Sequence, residues 1–141
     1  MSRTWRGAAA GTVAAVFWIG AEPLVRAVTG RRYSDVRLLG RLVSRRRWQG
    51  VGTAWHVANG AAFGAVFARL GGRGWRQGLL AAEVENAALW PAMAVADRLH
   101  PDRVSGAWPR PLVSDPRVAA HEVIVHALFG ATLGAMLRDE A

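Results

Sequence analysis

Four Ala- and Gly-rich stretches, each about as long as a bilayer is thick, divide this chain, and each carries ionisable side chains in its interior. They cover residues 7–28, 51–70, 77–96 and 118–137. A helix crossing about 30 Å of hydrocarbon needs roughly 20 mostly apolar residues, and all four stretches meet that length. Their interiors hold Glu22; His56 and Asn59; Glu83, Glu85 and Asn86; and His121, Glu122 and His126. The pattern predicts an all-α fold: one integral-membrane domain over residues 1–141, a four-helix transmembrane bundle.

The competing architecture is a soluble four-helix bundle, and a mean hydropathy of only +0.12 speaks for it. A soluble bundle, however, spreads charge along one face of every helix. Here Gln49, His56 and Asn59 are the strongly polar side chains between Trp48 and Arg69, and the arginines crowd between the apolar stretches. Arg3 and Arg6 before an apolar run also resemble a signal peptide. The run continues past Glu22-Pro23 without an A-x-A site, so a retained first helix is expected.

All 18 basic residues other than histidine are arginine, and the net charge is +8. Their placement reads as topology rather than nucleic-acid binding, since no aromatic-and-basic recognition motif accompanies them. Twelve fall on the side of the first and third connections and six on the other. The bias places both termini outside and both long connections in the cytoplasm of a bacterial inner membrane. With no cysteine, disulfides, iron–sulfur clusters and thiolate zinc sites are excluded.

The first connection carries its own helix signal over residues 35–47. Ser34 is a suitable N-cap and Asp35 suits the first turn. At helical spacing Val36, Leu38, Leu39, Leu42 and Val43 share one side, and Arg37, Arg41 and Arg45 the other. An amphipathic interfacial helix is expected, its arginines against anionic headgroups. The third connection, 99–116, has four prolines and a glycine and should be irregular and exposed, with Trp108 as an interface anchor.

The second and fourth stretches repeat one phrase: His56, Gly60 and Gly64 match His126, Gly130 and Gly134 in spacing. The first and third each contain a proline, Pro23 and Pro91. Two duplicated helical hairpins are the expected origin, with chance similarity of Ala/Gly helices as the alternative. The glycine pairs allow close backbone approach in lipid, within the bundle or between protomers of a homo-oligomer.

Three buried-site readings follow. His121-Glu122-x-x-x-His126 is one residue too long for the zinc-protease helix motif, because its histidines lie about 140° apart at 100° per residue. A looser metal site would draw on His56, Glu122, His126 and one of Glu83 or Glu85. Glu83, Asn86 and Trp90 line one face, with Glu85 nearly opposite, and Glu22 has Arg26 one turn away. A carboxylate at the bilayer centre costs about 2.5–3.5 kcal/mol on insertion scales, so these groups should be protonated, paired or facing water. Glu22, His56, Asn59, Glu83, Asn86, Glu122 and His126 are therefore expected to form a protonatable network.

Gly20-Ala21-Glu22-Pro23, His56, Trp75-x-Gln77-Gly78-Leu79-Leu80-Ala81, Pro91 and Glu122-x-x-x-His126 together resemble the YagU-like family of bacterial inner-membrane proteins. The resemblance covers most of the four stretches and little of the connections. It implies an inner-membrane address and singles out Glu22, His56, Glu122 and His126; it brings no activity with it. The expected function is proton or small-solute movement, or pH sensing, without a cofactor. The alternatives are a structural or accessory subunit of a membrane complex and a membrane-embedded metal-binding protein or metalloenzyme. No nucleotide loop or nucleophile–base spacing points to a hydrolase or redox enzyme.

Overall fold

Three of the four Ala/Gly-rich stretches fold as single helices, and the third along the chain is split at Pro91. The computed structural model describes residues 2–138 and contains, among them, seven helices and no strand. In chain order these are α1 (Arg3–Thr29), α2 (Asp35–Val43), α3 (Trp48–Arg69), α4 (Gly74–Leu89), α5 (Ala92–Leu99), α6 (Pro101–Val104) and α7 (Pro116–Met136). Ser2 caps α1 through Trp5 N–H, and Gly30 closes it in the left-handed conformation, φ 66°, with its N–H on the Arg26 carbonyl. Pro23 sits inside α1 without ending it.

Two boundaries correct the sequence reading. The stretch 77–96 is not one helix. Pro91 has no N–H to continue the ladder, and α4 gives way to α5 across Trp90–Pro91. The helix expected over 35–47 ends at Val43, where Ser44 turns extended, so Arg45 lies beyond it.

Among the described residues two helices, α1 and α7, are long and apolar enough to cross a membrane, with mean hydropathies of 1.5 and 1.4. Four were expected. Helix α4 has only 16 residues, and α3, though 22 residues long, is diluted by glycine, histidine and asparagine.

Glycine decides the packing. Gly7 and Gly11 of α1 lie against Gly64 and Gly60 of α3, and Gly74 and Gly78 of α4 lie against Gly134 and Gly130 of α7. A Cβ on Gly60 would stand 2.6 Å from the Ala15 methyl and 2.8 Å from the Gly11 carbonyl oxygen, closer than side chains tolerate. Of the two uses expected for the glycine pairs, the structure shows packing within the bundle. Helix α1 also packs on α7, which joins the two pairs in the order α3–α1–α7–α4. Helices α3 and α4 scarcely touch, leaving a cleft between them. Helix α2 crosses α3 where Gly40 and Gly52 meet the backbone of Trp48 and Val36.

The third connection also departs from expectation. It folds back as a cap with its own small core of Tyr33, Met93, Trp108, Leu112 and Val118. Trp108 is only 3% exposed, and its indole N–H donates to the Arg32 carbonyl, so it anchors the cap rather than an interface. Asp97 accepts the Leu112 and Val113 N–H groups at 2.7 and 3.0 Å and pairs with Arg103 at 2.9 Å. These bonds satisfy backbone that four prolines keep out of regular structure.

Candidate functional site

Trp18, near the middle of α1, is the hub around which the histidines gather. The rings of His56 and His126 each meet it edge-on with centroids 4.5 Å away, and Phe129 follows at 6.0 Å. Both histidines stand one turn before the glycine seams, which bring their helices close enough to hold one indole between them. The Nδ1–H of His126 donates to the Glu122 carbonyl at 2.8 Å and lies 3.4 Å from the Glu122 carboxylate. This fixes the tautomer and leaves Nε2 as the basic nitrogen.

On the cap side of Trp18 a second group closes around the start of α2. Glu22 accepts the Ser34 hydroxyl and the Asp35 N–H, both at 2.8 Å, so a carboxylate from α1 serves the N-terminus of α2. The Tyr33 hydroxyl donates to Asp35 at 2.9 Å, and His121 Nε2 lies 3.8 Å from the other Asp35 oxygen. Burial, with the negative Asp35 and Glu122 beside it, pushes the Tyr33 hydroxyl well above its ordinary pKa, so it stays a donor. Glu22, Asp35 and Glu122 thus share one buried site.

Of the expected set, the structure brings His56, Asn86, Glu122 and His126 to one cleft, and buries Glu22 beside Asp35 at the start of α2. Asn59 lines the cleft but is exposed, and Glu83 accepts from Asn86 at 3.4 Å off the cleft. Glu85 takes Glu83's place on the cleft wall. The expected metal set of His56, Glu122 and His126 is not the one whose donor atoms converge. Those of Glu22, Asp35 and His121 do, within 4.8 Å of one another. Asp35 and His121 were missed as site residues. Helical spacing turns His121 away from His126, but α7 is buried on both of those faces.

The cleft encloses about 460 Å³. Asp35, His56, Glu85, Asn86, Glu122 and His126 line it together with Leu38, Leu42, Leu89, Met93 and Leu99. The apolar face of α2 therefore borders the cleft.

The arginines expected to reach headgroups turn inward instead. Arg37 and Arg41 grip Asp102 at 2.7 and 3.1 Å, and the Arg37 guanidinium lies 5.7 Å over Trp108 and 5.8 Å over Trp48. Arg45 stays exposed, its carbonyl accepting from Arg41 at 3.3 Å. Burial works against ionising Asp102, but the Arg37 hydrogen bond and the charges of Arg37 and Arg41 hold its pKa below the usual carboxylate range. His100 stacks on Trp108 at 4.6 Å, accepts the Asp102 N–H on Nδ1 and faces the Leu38 carbonyl at 3.1 Å. Its pKa is lowered by burial first and by both arginines, against the pull of Asp102 and that carbonyl.

Comparison with known protein families, curated proteins and solved structures finds no match to this chain, so the functional reading rests on its geometry.

Proposed function

We propose that the chain is a small multi-pass protein of the bacterial cytoplasmic membrane, a four-helix bundle of two duplicated hairpins, that binds a small amphipathic molecule from the bilayer beside a protonatable cluster. Membrane placement is supported by an inverted distribution of polarity. Val13, Val16, Phe17, Leu24, Leu80, Val84 and Val123 face outward, while Glu22, His56, His121, Glu122 and His126 are buried. Duplication is supported by the seams: Gly7/Gly11 and Gly74/Gly78 are 67 residues apart, and Gly60/Gly64 and Gly130/Gly134 are 70 apart. The arginine bias puts the cap in the cytoplasm, where the exposed Arg45, Arg46 and Arg47 meet anionic headgroups.

One observation favours binding over conduction: the polar groups occupy only the cap half of the bundle. From the Gly11–Gly60 contact toward the termini the core is Ala10, Phe67, Ala68, Leu133 and Leu137, with no buried polar side chain among the described residues. A proton relay needs hydrogen-bonding groups along its whole length. Proteoliposomes loaded with a pH-sensitive dye should therefore leak protons no faster than empty vesicles. Mass spectrometry of the protein purified in mild detergent should find a small molecule enriched over bulk lipid, and Ala96→Trp, which fills the cleft, should fail to retain it. Proton flux abolished by Glu122→Gln would replace binding with conduction. An unchanged small-molecule complement in Ala96→Trp would remove the cleft from the reading.

A further inference from the structure

We propose that Glu22, Asp35 and His121 hold a divalent first-row metal ion, such as Zn²⁺ or Mn²⁺, at the junction of α1, α2 and α7. The donor set is one imidazole and two carboxylates, a mixture that suits these ions. All three residues are buried, and their donor atoms lie within 4.8 Å of one another.

The decisive observation is which atoms lack partners. Around the rim Ser34 and the Asp35 N–H serve Glu22, and Tyr33 serves Asp35 Oδ1. The other Asp35 oxygen and both His121 nitrogens make no hydrogen bond, although His121 is fully buried. A buried imidazole with two orphan nitrogens is expensive as mere packing. The 3.8 Å between Asp35 Oδ2 and His121 Nε2 is too long for a hydrogen bond. An ion about 2.0–2.2 Å from each bridges that gap. Glu122, beside Asp35 with its Oε1 also unpartnered, adds a third carboxylate. Charge argues the same way, because a divalent cation lets neighbouring buried carboxylates ionise together in a dry site. Tyr33, donating to Asp35, orients a ligand from outside the coordination sphere. Asp35 and Glu122 also line the cleft, so the ion would sit beside the bound molecule's polar end.

This inference goes beyond the cleft reading and is tested without it. The full chain in mild detergent is stripped with a chelator and titrated with Zn²⁺ or Mn²⁺ alone. We expect one ion per chain, and a loss of affinity on the order of 100-fold in Asp35→Asn and in His121→Gln, with about 10-fold in Tyr33→Phe. His100→Gln, outside the cluster, should bind as the wild type does. Pulsed electron paramagnetic resonance of the Mn²⁺-loaded wild type should show imidazole nitrogen coupling, a readout that depends on no variant folding. Undiminished affinity in the Asp35→Asn, His121→Gln double variant overturns the assignment. So does the absence of nitrogen coupling, or of saturable binding, in the wild type.

Discussion

Replacing Gly11 with alanine tests the view that glycine seams, not helix propensity, hold this fold. The added methyl points at the Gly60 carbonyl oxygen, with the Gly60 carbonyl carbon at 2.9 Å and Gly64 Cα at 3.1 Å. All three are backbone atoms, so no side chain rotates away and α1 must separate from α3. Carbon contacts are optimal near 3.5–4.0 Å, and overpacking of this kind costs about 1–3 kcal/mol. Alanine's better helix propensity returns about 1 kcal/mol. The net expectation is a destabilisation of up to about 2 kcal/mol. Gly20→Ala is the internal control, because nothing lies within 4 Å of its added Cβ and only the propensity gain remains. The assay is denaturation of the detergent-solubilised protein followed by far-ultraviolet circular dichroism. Gly11→Ala should melt earlier than wild type and Gly20→Ala no earlier. Adding Gly60→Ala to Gly11→Ala should cost less than the two changes separately, since the helices have already parted. Equal behaviour of Gly11→Ala and Gly20→Ala would refute the seam argument.

Two further outcomes concern the cap. Asp102→Asn leaves Arg37 and Arg41 facing a neutral amide; it should cost about 2 kcal/mol, below the roughly 3–5 of a fully buried pair because both arginines reach solvent, read as faster proteolysis in the 99–116 connection. His100 has a folded-state pKa below its unfolded value, so the unfolded cap binds more protons and stability falls as pH drops below about 6.5. Burial and the facing Arg37 and Arg41 set that direction against Asp102. Protection of cap amides in hydrogen exchange should decline between pH 7 and pH 5.5, and His100→Gln should flatten the decline.

Much of the helical skeleton was legible because residue type alone carries it. Ser34 as N-cap, the start of α2 at Asp35 and the helicity of every Ala/Gly stretch follow from caps and composition. Asp35 itself was read only as a first-turn charge. Its second role depends on Glu22 and His121 arriving from helices that sequence spacing cannot place beside it. The repeat was visible at Gly60/Gly64 and Gly130/Gly134, but its partners Gly7/Gly11 and Gly74/Gly78 were overlooked for lack of a histidine beside them. The 99–116 connection was read as open from its prolines. What closes it, Asp97 and Asp102 holding backbone and arginines, is tertiary and leaves no periodic trace. Arg37 and Arg41 fell on the polar face of α2 as expected, and only the fold reveals that this face meets Asp102.

The order α3–α1–α7–α4 makes the molecule a clamshell whose two valves meet along one spine. At one end they are joined by the short turn around Gly71 and Gly72. At the other, Arg31 reaches Asp115 at 2.9 Å, and Arg37 and Arg41 reach Asp102. These pairs are the latch, since each links a segment of the first valve to a segment of the second. The mouth between α3 and α4 is then braced from the cap rather than from its own walls. On the binding proposal, whatever weakens the latch, whether acid, salt or a competing anion, should loosen the grip on an occupant it never touches.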